Sequence, residues 1–158
     1  MRVHEIMNRN VKYVSPSSTI FEVMNYMKIN NLRIIQIIEN EKLLGIITEH
    51  DIFLLLTRNL STNIEISKVM KKFVITINDN DTIEDAADLM GMMQIERLIV
   101  INELNKVVGT LSIYDVALHP LCEDYALQIL VEFSQGVSTQ KPNYDIIYQN
   151  DTSLLKEK

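Results

Sequence analysis

Cysteine is nearly absent: Cys122 stands alone among 158 residues, so no internal disulfide can form. No apolar stretch follows the start Met1-Arg2-Val3-His4-Glu5, so a secretory signal is not expected and a reducing, cytoplasmic compartment is. Long hydrophobic runs are missing too. Leu43-Leu44 and Ile46-Ile47, interrupted by Gly45, fall far short of the roughly 20 residues that cross a bilayer, which argues against a membrane partner. Basic clusters do not exceed Lys71-Lys72, and a formal net charge of −6 opposes the phosphate neutralisation that drives nucleic-acid binding. The vocabulary of catalysis is equally thin. His4, His50 and His119 are scattered, Cys122 has no evident base, and neither H-E-x-x-H nor C-x-x-C spacing occurs, so neither an enzyme nor a metal site is expected. His50 and Asp51 are neighbours in sequence, but adjacent side chains on a helix diverge and would not chelate one ion.

What is present is a core and a repeat. Hydrophobic residues make up 47% of the chain and charged residues 23%, the balance of a globular protein. Sliding the sequence on itself by 63 residues lays Val3-His4-Glu5-Ile6-Met7 over Ile66-Ser67-Lys68-Val69-Met70, Thr19-Ile20 over Thr82-Ile83 and Met27 over Met90. One extra residue then shifts the offset to 64, pairing Gly45 with Gly109, Thr48 with Ser112 and Asp51 with Asp115.

Each copy reads in the same order. An extended stretch (Val11 to Val14; Val74 to Ile77) leads through a polar turn to a helix. Its start is marked by the capping-box spacings Thr19-x-x-Glu22 and Thr82-x-x-Asp85, and Ile20, Val23, Met24 and Met27, like Ile83, Ala86, Ala87 and Met90, recur at helical intervals. Two β-branched runs follow, Ile34 to Ile38 with Leu43 to Ile47, then Leu98 to Ile101 with Val107 to Leu111. A short helix begins after Thr48 and after Ser112, and Pro120 ends the second copy. The fold class is therefore α+β, with two β-α-β-β-α units over residues 1–60 and 61–120 packed pseudo-symmetrically through their sheets. Residues 121–158 read as a helix carrying Leu121, Tyr125, Ile129 and Phe133, stopping at Gly136, and then a polar tail with Pro142 that is mobile or bound to a partner. The methionines Met24, Met27, Met90 and Met93 are read as core filling.

Gly45-Ile46-Ile47-Thr48-Glu49-His50-Asp51 and Gly109-Thr110-Leu111-Ser112-Ile113-Tyr114-Asp115 share the form G-x-x-[ST]-x-x-D at the same strand-to-helix junction. With this motif found twice, each half resembles a CBS domain, and residues 3 to 120 resemble a stand-alone CBS pair, or Bateman module. The chain departs from the family's "RLPVVD" strand at Gln36 and Ile99, where a proline is usual. Only Glu96-Arg97-Leu98 carries the arginine that often opens that strand; the first copy has Ile34 there.

The resemblance implies a non-catalytic regulatory module that binds an adenine nucleotide between the repeats, whether AMP, ADP, ATP or S-adenosylmethionine, and signals through homodimer or partner contacts. An ionised aspartate is acceptor-only and suits a ribose diol, which gives Asp51 and Asp115 that role, with Thr48 and Ser112 meeting ribose or phosphate oxygens. One implied site joins Arg97, Ser112, Tyr114 and Asp115 with Thr19 and Leu32. The other joins Thr48, His50 and Asp51 with Thr82 and Ile95, and lacks the matched arginine, so it is expected to be empty or to take a less charged ligand. Thr19 and Thr82 also have a plain explanation as helix caps, and Arg97 as a surface ion pair. The competing expectation is a ligand-free scaffold that dimerises and docks a protein through the helix near Leu121 to Phe133.

Overall fold

The structure is a computed structural model, and it describes residues 1–135. The helix stop at Gly136 and the tail of residues 137–158 lie outside them. Both copies form the β-α-β-β-α unit: β1 (Tyr13–Val14), α2 (Ile20–Ile29), β2 (Ile34–Glu39), β3 (Lys42–Thr48) and α3 (Glu49–Thr57), then β4 (Thr76–Asn78), α4 (Ile83–Met93), β5 (Arg97–Ile101), β6 (Val107–Ser112) and α5 (Ile113–Leu118). Each sheet has three strands in sequence order, the first pair parallel and the second antiparallel. A short helix α1 (Val3–Ile6) precedes the first unit and α6 (Glu123–Gln135) follows the second.

Alternation along the strands divides the burial between two faces. In the first sheet Ile35, Ile37 and Ile47 meet Ile20, Val23 and Met27 of α2 and Ile52 of α3 in one core cluster. In the second, Leu98, Val100 and Leu111 meet Ile83, Ala87 and Met90 of α4 and Val116 of α5. The opposite faces are buried as well, at Gln36 and Ile38 in one sheet and Ile99, Ile101 and Thr110 in the other, because the two sheets cover each other. At the hairpin tips the amide of Val107 donates to the carbonyl of Glu41 at 2.9 Å, and Lys106 pairs with Glu41.

The segment before each unit crosses to the other unit, which the sequence pattern does not reveal. Val3 and Met7 lie in the second core, whereas Ile66 lies in the first with Val69 and Met70 packed against it. The amide of Val3 donates to Asp81 O at 2.9 Å and that of Ile66 to Ser18 O at 2.7 Å, two bonds related by the 63-residue offset. Val3–Ile6 closes into α1, and Ile66–Lys68 into a single 3-10 turn.

These crossing segments explain the motif glycines. Lys71 exchanges backbone hydrogen bonds with Ile46, and Asn8 with Thr110, so each segment runs against the motif strand. A Cβ at Gly45 would stand 2.5 Å from Lys71 O, and one at Gly109 would stand 3.0 Å from Asn8 O. Glycine is required there by close approach of a second backbone.

The last helix departs from the expected stripe. Leu121 precedes α6 and is 76% exposed, and the face turned to the second core is Cys122, Ala126 and Ile129, with Tyr125 and Phe133 at its edges. Gly91 on α4 leaves room for the Glu132 side chain of α6, and Gln94 Nε2 donates to Glu132 O at 3.1 Å. Met93 is 38% exposed and contributes less to the core than its helical spacing suggests.

Candidate functional site

All four threonine or serine candidates are helix caps. Thr19 Oγ1 accepts from the amide of Glu22 at 3.2 Å and Thr82 Oγ1 from Asp85 at 3.0 Å, each in a reciprocal capping box. Thr48 and Ser112 do the same with the amides of Asp51 and Asp115 at 3.1 and 3.2 Å. The [ST]-x-x-D of the motif is thus itself a capping box. Its hydroxyl is engaged locally, and any ligand-reading capacity rests on whatever the aspartate retains beyond the cap.

The two aspartates differ in what they retain. Oδ2 of Asp115 accepts from the amide and hydroxyl of Ser112 at 2.7 and 2.6 Å, and Asp115 makes no further hydrogen bond or ion pair among the described residues. Its other oxygen keeps its acceptor sites open. Oδ2 of Asp51 likewise accepts from Thr48, at 3.0 and 2.7 Å, but Oδ1 lies 2.8 Å from Lys71 Nζ. Burial pushes the Asp51 carboxyl up, yet the Lys71 ammonium and the Thr48 donors outweigh it and hold the group below the ordinary aspartate value.

Lys71 is the residue the sequence reading missed as a candidate. It was visible only as half of the longest basic cluster, and the repeat alignment sets it against Asn8, an uncharged side chain whose Oδ1 instead accepts from the amide of Asn10 at 2.8 Å. Asp51 therefore does not want for a cation, as the absence of an arginine at Ile34 suggested; the cation arrives from the crossing segment.

Arg97 is the register partner of Ser112, and paired residues project from the same face of a sheet, so it lies across the strand pair from the residue that caps α5. It is exposed and makes no ion pair among the described residues, contrary to the plain reading of it as a surface pair. Ile34 is the equivalent partner of Thr48. Tyr114 is 67% exposed and His50 is exposed, both in the first turn of their helices. Ile95 packs at the edge of the second core. Leu32 lines an open groove of about 410 Å³ between α2 and α3, together with Met24, Glu49 and Phe53.

Elsewhere the chemistry is sparse. Among the described residues no cluster of three or more His, Cys, Asp or Glu is placed to hold a metal ion, and no helix is long and apolar enough to cross a membrane. Cys122 does have a potential base, His119 Nδ1 at 3.8 Å, which the sequence reading did not find. The sulfur is buried, however, and burial pushes the thiol up, away from the nucleophilic thiolate.

A model of the CBS domain matches residues 3–58 and again residues 66–120. The chain belongs to the CBS domain family. This CBS pair is 32% identical over 133 residues to the CBS domain-containing protein YhcV of Bacillus subtilis, covering 84% of this chain and 94% of that one. It spans only 38% and 23% of the length of two other curated relatives. Its fold is similar to that of CBS domain protein PAE2072 from Pyrobaculum aerophilum complexed with AMP, with a TM-score of 0.67 at 22% identity over 86% of this chain and 100% of that one. It is also similar to the CBS domain pair of protein MJ0100 in complex with 5'-methylthioadenosine and S-adenosyl-L-methionine, with a TM-score of 0.61 at 26% identity over 74% of this chain and 97% of that one. CBS pairs of this kind are generally regulatory and non-catalytic.

Proposed function

We propose that this CBS pair binds an adenine nucleotide or S-adenosylmethionine without transforming it, first at the cleft of the second repeat. The observation that carries the reading is the open oxygen of Asp115, an acceptor for a ribose diol, on the helix capped by the register partner of Arg97, a cation for a phosphate or carboxylate that makes no ion pair among the described residues. Thr19 and Leu32 of the first repeat complete this cleft, and Tyr114 borders it. Thr48, His50 and Asp51 with Thr82 and Ile95 form the pseudo-symmetric cleft. The complex of protein MJ0100, at 26% identity, supports an adenosyl ligand. Such a module would report adenylate or methyl-donor status in the cytoplasm.

Isothermal titration with AMP, ADP, ATP and S-adenosylmethionine tests the reading. Saturable heat whose tighter component Asp115→Ala abolishes is the expected result; heat absent for every ligand overturns it.

A second reading is favoured by one observation. The α2–α3 groove and its rim leave Phe53 61%, Ile29 82% and Leu56 38% exposed, surface that a homodimer or a docked protein would cover. Nucleotide in a cleft would signal by changing that association. A solution mass by light scattering equal to one chain, with and without nucleotide, would remove the homodimer.

A further inference from the structure

The two ribose-reading aspartates are related by the internal repeat, carry the same cap and sit at the same strand-to-helix junction, yet only Asp51 has its outward oxygen taken. Lys71 takes it, at 2.8 Å, from a backbone position fixed by paired hydrogen bonds to Ile46. The Lys71 side chain is 57% exposed while that of Asp51 is 13% exposed, so the lysine can leave and the carboxylate cannot. A ribose diol and this ammonium compete for one oxygen. Displacing the ammonium leaves a point charge on a flexible stem at the edge of the cleft, and the loss is made good only where the incoming ligand brings an anion of its own.

We propose that Lys71 is a counter-ion gate that makes the first cleft selective for phosphate-bearing nucleosides over uncharged ones. The Asp51 oxygen is released to the ribose when the ligand's phosphate receives the Lys71 ammonium in exchange. A neutral nucleoside must break the pair without replacing it. No such exchange operates at Asp115, where the equivalent position is Asn8 and the side chain is turned to its own loop. The selectivity thus comes from the crossing segment rather than from the motif, and it reverses the expectation that a cleft without the arginine prefers a less charged ligand. This inference rests on the proposed nucleotide binding and adds the ligand class of one cleft to it.

The test uses Asp115→Ala to silence the second cleft and compares adenosine with AMP, both by titration calorimetry, before and after adding Lys71→Met. The methionine keeps the apolar stem and removes only the charge, and thermal unfolding monitors the fold of each variant. With Lys71 present, AMP is expected to bind tighter than adenosine. With Lys71→Met the preference collapses, mainly because adenosine tightens by about two- to fivefold, the worth of a partly exposed ion pair. An unchanged AMP-to-adenosine ratio, or equal weakening of both ligands, overturns the gate and leaves the nucleotide reading standing. Binding by the parent chain that vanishes in every Asp115→Ala background also overturns the gate alone. No binding by the parent chain overturns both.

Discussion

The two repeats share a fold and a motif but have been finished differently. In the second, α6 lies across α4 and α5, with Gly91 leaving room for the Glu132 side chain, and the motif aspartate is left with an open oxygen. In the first, the corresponding helices α2 and α3 carry Met24, Lys28 and Phe53, no helix of the described residues covers them, and the motif aspartate is paired with Lys71. Duplication supplies two similar surfaces, and small local substitutions assign them to different tasks. Packing stability is concentrated on the helix face of the second repeat, and an exposed apolar surface is retained on that of the first.

The most severe way to break this comparison is to empty the seat of α6. Ile129 is fully buried between α6 and the second core, and Ile129→Ala is expected to cost about 2–5 kcal/mol in urea unfolding, the range for removing a buried isoleucine side chain and leaving a cavity. Ile52 is nearly as buried but borders the open groove, where the void can merge with solvent, so Ile52→Ala should fall at the low end of that range. Equal losses would mean that something covers the α2–α3 groove in solution.

A smaller effect probes the crossing segments. Gly45→Ala places a methyl group 2.5 Å from a backbone oxygen that cannot rotate away, and strain of about 1–3 kcal/mol is expected. Gly109→Ala meets the flexible Met7 sulfur at 2.7 Å and a backbone oxygen only at 3.0 Å, which asks for less movement. The expected order of unfolding midpoints is therefore parent chain, Gly109→Ala, Gly45→Ala. A reversed order would show that the segment at Asn8 is held more rigidly than the one at Lys71.

The elements themselves were legible because each had a local cause. Helical spacing, β-branched runs and capping residues place the starts of α2 to α5, and β2, β3, β5 and β6, within a residue or two. Repetition made the pseudo-symmetry visible, and the motif carried the family. Long-range placement was not legible. Val3-x-x-x-Met7 is apolar at helical spacing whichever core receives it, so nothing local says that it crosses to the second unit. The same blindness hid Lys71, whose partner Asp51 lies 20 residues away and is reached only because the crossing segment pairs with β3. Of the residues expected on the face of α6, Tyr125, Ile129 and Phe133 do pack on the second core and Leu121 does not: with apolar residues at 121, 122, 125, 126, 127, 129, 130, 131 and 133 the stripe is wide, and packing selects Cys122 and Ala126 over Leu121 and Leu130.

The finest distinction between the repeats is electrostatic, and pH reveals it. Because the Asp51 carboxyl is held below its ordinary value in the folded chain, it contributes stability that is present above the unfolded aspartate value, near about 4, and is lost as pH falls through the lower folded value. Lys71→Met removes the ammonium's share of this, so the parent chain should exceed the variant by about 0.2–1 kcal/mol at neutral pH, and the gap should close in acid once Asp51 is protonated in both states. Adding salt should shrink the gap as well, since Lys71 is more than half exposed. Asn8→Lys sharpens the comparison by setting an ammonium at the equivalent place in the second repeat. If the crossing segment alone decides whether a cleft aspartate is paired, that variant gains a new pH-dependent increment of the same sign. If it gains none, the pairing of Asp51 depends on the surroundings of Lys71 beyond its place in the repeat.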